Sequence, residues 1–174
     1  ARQVLDATNA WLYAQSRQAG HTGVLRDRAC ACTLSVLVFQ SCTAHVFHVG
    51  DARIYRLRQG ELEQLTRDHR VNAGDRSHVS RVLGVGPHVE LDHESQPLEL
   101  GDVFALLTDG VYEHVGDHAL RLALAQADKP GAELGVLAAD LVSLARANGS
   151  TDDATVQIVQ VVELPALTLS DLRQ

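Results

Sequence analysis

The chain has 174 residues, 45% of them hydrophobic, with a net charge of −7 and a pI near 5.6. That length and apolar fraction suit one domain with a real core. The acidic balance, with no cluster of Lys and Arg on any predicted face, argues against a nucleic-acid partner. No apolar run approaches the roughly 18 residues of a membrane helix and no basic-then-apolar leader is present, so no membrane partner is expected. Cys30, Cys32 and Cys42 make an odd count in a chain too long to need staples, which predicts reduced thiols and a cytoplasmic setting. Cys30 and Cys32 read as small buried side chains on one strand face, because a single Cys-x-Cys is an incomplete zinc motif.

In chain order, Val4, Leu5, Ala7, Trp11, Leu12 and Ala14 fall at helical spacing and predict an amphipathic helix from about Arg2 to Gln18, stopped at Gly20. Two β-branched, apolar segments, 29–39 and 43–49, predict a hairpin. A second hairpin is predicted from the alternation Ile54 to Arg58, the turn Gln59-Gly60 and the segment Glu61 to Leu65. From Thr66 to His78 the apolar periodicity vanishes, which predicts an exposed loop or flap. A short helix is expected over 79–83 and an edge strand over 90–97.

The run Val103 to Leu107 is too short for a helix and reads as a buried core strand that ends on Thr108-Asp109-Gly110. A helical turn over 111–115, a helix from His118 to about Gln126 and a helix from Pro130 through Ala145 follow. Residues 154–162 predict the last strand, and 163–174 a tail or linker after a single domain over 1–162.

Asp51, Asp109 and Asp152, the last with Asp153, each occupy a tight turn at an end of an apolar strand. Any one of them is well explained as a turn residue bonding its own backbone. Three on one chain suggest more. Carboxylates gathered on one rim would repel and raise one another's pKa unless cations lay between them. Magnesium or manganese suits all-oxygen donors, whereas zinc would recruit His or Cys.

The segments Gly50-Asp51-Ala52-Arg53, Leu65-Thr66-Arg67-Asp68-His69, Thr108-Asp109-Gly110-Val111 and Asp152-Asp153-Ala154-Thr155, in this order, resemble the successive motifs of the metal-dependent type 2C (PPM) protein serine/threonine phosphatases. The segments 45–50 and 103–115 are most similar to a bacterial branch in which the phosphatase is fused to a kinase. The resemblance implies an α+β fold, an αββα sandwich of two antiparallel β-sheets flanked by helices. It also implies hydrolysis of phosphoserine and phosphothreonine by water activated at a centre of two Mn2+ or Mg2+ ions. Asp109 and Asp152 match the family's metal ligands, and Asp51 matches a residue serving a third, weaker ion. His69 and His78, in the predicted flap, would stand on the substrate side. The implied partners are a phosphoprotein substrate and a fused or cognate kinase. The family's upstream Asp-Gly-x-x-Gly-His motif and phosphate-gripping Arg do not occur in the 174 residues, which predicts a chain beginning partway through the domain. Ala52 and Asp153 stand where the family has Ser and Asn.

Competing chemistries read less well. His114 and His118 have helical metal-ligand spacing, but Gly116 and Asp117 between them break the helix. Gly84-Val85-Gly86 lacks the rest of a nucleotide fingerprint, and Ser35 and Ser41 lack nucleophile-elbow glycines. The alternative from another class is a non-catalytic regulatory module, a pseudophosphatase, on the same fold.

Overall fold

A computed structural model describes residues 2–18, 30–73 and 76–166. Strands β1 (Leu34–Gln40) and β2 (Thr43–Val49) form the first hairpin, with Leu34 opposite Val49 and Ser41 at a φ of 51° in the turn. β3 (Arg53–Arg58) and β4 (Glu61–Gln64) form the second. Its Gln59 and Gly60 both take positive φ, as a two-residue turn matched to the strand twist requires. β7 (Asp92–Pro97) joins the free side of β2, giving one sheet of order β1-β2-β7. β8 (Val103–Leu107) joins β3, and β9 (Val156–Gln160) joins β8, giving a second antiparallel sheet of order β4-β3-β8-β9.

The continuous apolar run of β8 is explained by burial on both faces. Phe104 points between the two sheets, where it packs with Ala44, Val46, Ile54, Leu65, Leu98 and Val161. Val103, Ala105 and Leu107 point the other way, against helices α3 (Asp117–Leu124) and α4 (Leu134–Ala147), which contribute Leu120, Leu124, Leu141 and Ala145. On the outer face of the first sheet, Leu5 and Leu12 of α1 (Arg2–Gln18) cover Phe47, Val49, Leu83 and Leu91. The layers therefore run helix, sheet, sheet, helices, the sandwich that the motif order implied.

Several expectations need correction. The segment from Thr66 to His78 is no open loop: β5 (Arg70–Ala73) and β6 (Arg76–Val79) pair as a separate two-stranded hairpin with Arg70 opposite Val79. Thr66 is buried because its hydroxyl oxygen accepts the Ile54 N–H at 3.0 Å, a polar burial that apolar periodicity does not register. No helix forms over 79–83. Val79 closes β6, and Leu83 makes an isolated antiparallel bridge with Cys32. Cys30 and Cys32 are exposed free thiols, since both precede β1 and do not enter the sheet face. α4 begins at Leu134 rather than at Pro130. The expected stop at Gly20 and residues 167–174 of the expected tail lie outside the described residues. Among the described residues, no helix is long and apolar enough to cross a membrane.

Candidate metal centre

β8 ends at Leu107, and Thr108 stays extended before Asp109 opens the one-turn helix α2 (Asp109–Tyr112). The Thr108 hydroxyl donates to the Asp153 carbonyl at 3.2 Å and accepts from the Thr155 N–H at 2.9 Å. Ser150 Oγ donates to the Gly110 carbonyl at 2.6 Å. The exit of β8 and the entry to β9 are thus tied together. The approach is so close that a Cβ on Gly110 would lie 2.6 Å from the Asp153 carbonyl oxygen and 3.4 Å from Asp152 Cβ. Only glycine fits there. Asp109 and Asp152 are held on neighbouring loops, each with one carboxylate oxygen taken by the next residue's N–H, at 2.9 and 2.8 Å.

Asp51 reaches the same lip from the end of β2. Gly50, at a φ of 116°, turns the chain against Thr33, whose Cβ would stand 2.3 Å from any Cβ at position 50. Asp51 is 5% exposed, and burial pushes its carboxyl pKa up; the Arg70 guanidinium pulls it back and Asp109 adds to the rise. Arg70 Nε lies 3.2 Å from Asp51 Oδ2, yet neither atom makes an aligned hydrogen bond. The same guanidinium stands 3.9 Å from Asp109 Oδ2 and pairs with Glu113.

Asp51 and Asp109 therefore share Arg70, while Asp109 and Asp152 share the contact around Gly110. Among the described residues, no three His, Cys, Asp or Glu side chains are assembled as a metal cage. The donor chemistry nonetheless fits a hard cation, because the donors are carboxylate oxygens and Asp51 Oδ2 is buried without a hydrogen-bond partner.

His69, expected in an exposed flap, is not exposed. It is buried, its Nδ1 accepts the Gly50 N–H at 3.0 Å, and its Nε2 lies 2.9 Å from Asp92 Oδ2 and 3.0 Å from Arg81 Nη1. Its place is to hold the turn that carries Asp51. His48, fully buried, lies against it with ring centroids 4.8 Å apart and contacts Ser35 Oγ and the Arg67 carbonyl at 2.9 and 3.1 Å. His78 is exposed on β6, opposite Val71.

Beneath the turn, Arg53 makes a fork to Asp68 through Nε at 3.0 Å and an Nη at 2.9 Å, stacks 3.8 Å over the Tyr112 ring and donates to Tyr55 Oη at 3.0 Å. Burial opposes its charge, but the bonds to Asp68 and Tyr55 hold its pKa above the usual guanidinium range.

Sequence reasoning passed over Arg70 and Glu113. Glu113 stands four residues after Asp109, a spacing that one helical turn brings to the same side. Arg70 carries no signal beyond being a cation in an acidic neighbourhood.

The sequence profile of the Stage II sporulation protein E (SpoIIE) family matches residues 1–162. The chain belongs to this family. It is 31% identical over 147 residues to the serine/threonine protein phosphatase PstP of Mycobacterium tuberculosis, a match covering 75% of this chain and 27% of that protein, so the chain spans about a quarter of its relative's length. Among solved structures it is similar to PppA, a regulatory component of T6SS in Pseudomonas aeruginosa, with 28% identity and a TM-score of 0.79 over 91% of this chain and 67% of that one. It is also similar to the catalytic domain of PstP in complex with two manganese ions, at 25% identity and a TM-score of 0.71 over 91% of this chain and 68% of that one. The motif resemblance to the type 2C serine/threonine phosphatases and the αββα sandwich are both supported by these relatives.

Proposed function

We propose that the domain hydrolyses phosphoserine and phosphothreonine in proteins, using Mn2+ or Mg2+ ions held by Asp109 and Asp152, with Asp51 serving a third, weaker ion. The observation that carries this reading is the Gly110 contact, which fixes the Asp109 and Asp152 loops side by side at the end of the β8–β9 pair. The two manganese ions of the PstP catalytic domain support the choice of metal and the number of ions. When bound, such ions lower the pKa of water to make a nucleophile near neutral pH and offset charge on the phosphoryl oxygens.

The chain's own residues supply placement. Thr108 and Ser150 tie the two loops together, and Asp109 and Asp152 each keep one carboxylate oxygen beyond the local backbone bond. His69 and the Arg53–Asp68 pair hold the Gly50-Asp51 turn against that lip. A rigid support of this kind keeps ligand positions within the narrow tolerance that phosphoryl transfer demands. A phosphoprotein substrate, a cognate kinase and a cytoplasmic setting accompany the proposal.

The test is hydrolysis of para-nitrophenyl phosphate and of a phosphothreonine peptide. Activity that appears with Mn2+, disappears with chelator and is lost in Asp109→Asn supports the reading. A well-folded protein without metal-dependent turnover would instead assign the pseudophosphatase role.

A further inference from the structure

We infer that Arg70 is a built-in cation that competes with a divalent metal for Asp51 and Asp109, so that ion binding at this corner loosens the base of the β5–β6 hairpin. This rests on the metal reading proposed above. One guanidinium faces three carboxylates: Asp51 at 3.2 Å, Asp109 at 3.9 Å, and Glu113 in direct contact. The three contacts are unequal. Glu113 receives a true hydrogen bond from Nη1, whereas Arg70 Nε and Asp51 Oδ2 are buried and close without being aligned. A buried carboxylate oxygen in that state is charge-compensated but poorly bonded, and a hard cation would satisfy it better than the misdirected N–H does.

A metal ion and a guanidinium cannot both approach those oxygens, because like charges a few ångströms apart in a partly buried site repel strongly. Glu113 gives Arg70 somewhere to go. It already accepts from the guanidinium through Nη1, is half exposed at the lip, and would retain Arg70 after Asp51 and Asp109 turn to the ion.

Arg70 is the first residue of β5, and the β5–β6 pair belongs to neither main sheet. The hairpin is fixed at its base by the Ser80 N–H donating to the His69 carbonyl and the His69 N–H donating to the Gly50 carbonyl, both at 2.7 Å, beside the Arg70 contacts. An ion that displaces Arg70 from Asp51 and Asp109 therefore loosens the base of this hairpin, leaving Arg70 the half-exposed Glu113 contact in their place. Metal occupancy and hairpin docking become linked quantities, each weakening the other by the same factor.

The experiment is Mn2+ titration by calorimetry on the wild-type protein, Arg70→Ala, Arg70→Gln and Arg146→Ala, the last removing an equal charge on the exposed side of α4. Arg70→Ala is expected to bind Mn2+ about tenfold more tightly, and Arg70→Gln to tighten in the same direction, while Arg146→Ala leaves affinity within about twofold of wild type. Hydrogen exchange gives a second readout: Mn2+ should speed exchange of the β5–β6 amides in wild type and leave those of Arg70→Ala, already fast, unchanged. Equal Mn2+ affinity in Arg70→Ala, Arg70→Gln and Arg146→Ala would overturn the inference and leave the metal reading standing. Absence of Mn2+ binding in every variant would overturn both.

Discussion

Gly110 and Asp153 stand so close that a single added carbon at 110 would lie 2.6 Å from the Asp153 carbonyl oxygen. Gly110→Ala must therefore push the exit of β8 away from the entry to β9, against backbone that cannot swing aside. The expected result is a loss of about 1 to 3 kcal/mol of stability, read by urea unfolding, and a fall in Mn2+-dependent hydrolysis of at least about tenfold. Unchanged activity and stability would show that the two loops are free to part.

Arg53→Lys keeps the charge but loses the fork to Asp68 and the stacking on Tyr112. Lysine offers a point charge where the site is built for a plane. A stability loss of about 1 to 3 kcal/mol is expected in chemical denaturation, with Asp68→Asn giving a similar loss and the double variant less than the sum of the two.

Asp102, at the end of the sandwich remote from the acidic lip, has a fully buried side chain that accepts from Arg58 at 2.6 and 2.7 Å and from the Glu99 N–H at 2.9 Å. Asp102→Ala leaves the Glu99 N–H without a partner and Arg58 with only the Glu99 carboxylate and the Pro97 carbonyl, and is expected to cost about 1 to 3 kcal/mol, seen as a lower urea midpoint. Metal-dependent turnover per folded molecule should stay near wild type, which separates this structural pair from the site.

His48 provides a pH dependence with a definite sign. Burial pushes its pKa below the ordinary imidazole value, His69 adds to this, and the Arg67 carbonyl, Asp92 and the Gly50 backbone oppose it. The folded protein thus holds His48 neutral where the unfolded chain would take up a proton. Stability from this group is fully present above the unfolded pKa of about 6.5 and is lost as pH falls from there towards the depressed folded value. Thermal unfolding between pH 8 and 5 should show a declining Tm below about 6.5 that His48→Gln makes shallower; an equal slope in both proteins would remove His48 as the cause.

Individual strands were legible because they obey simple patterns, while the sandwich itself was implied by the resemblance of the motifs. Val103 to Leu107 is apolar throughout since both of its faces are buried, and Gln59-Gly60 marks a hairpin by its turn chemistry. The β5–β6 hairpin was not legible, because a pair of strands outside both main sheets needs no alternating apolar face. The burial of His69 was missed for a related reason. Its burial depends on partners 19 and 23 residues away, the Gly50 N–H and Asp92, and no local pattern announces them. The acidic turns themselves were plain in the sequence. The cation between Asp51 and Asp109, Arg70, was not.

The most direct test of the metal centre is an anomalous difference map from crystals grown with Mn2+. Peaks within about 2.5 Å of carboxylate oxygens of Asp109 and Asp152, with a weaker one at Asp51, are the expected result. Strong manganese peaks on other side chains, with none beside Asp109 or Asp152, would contradict it.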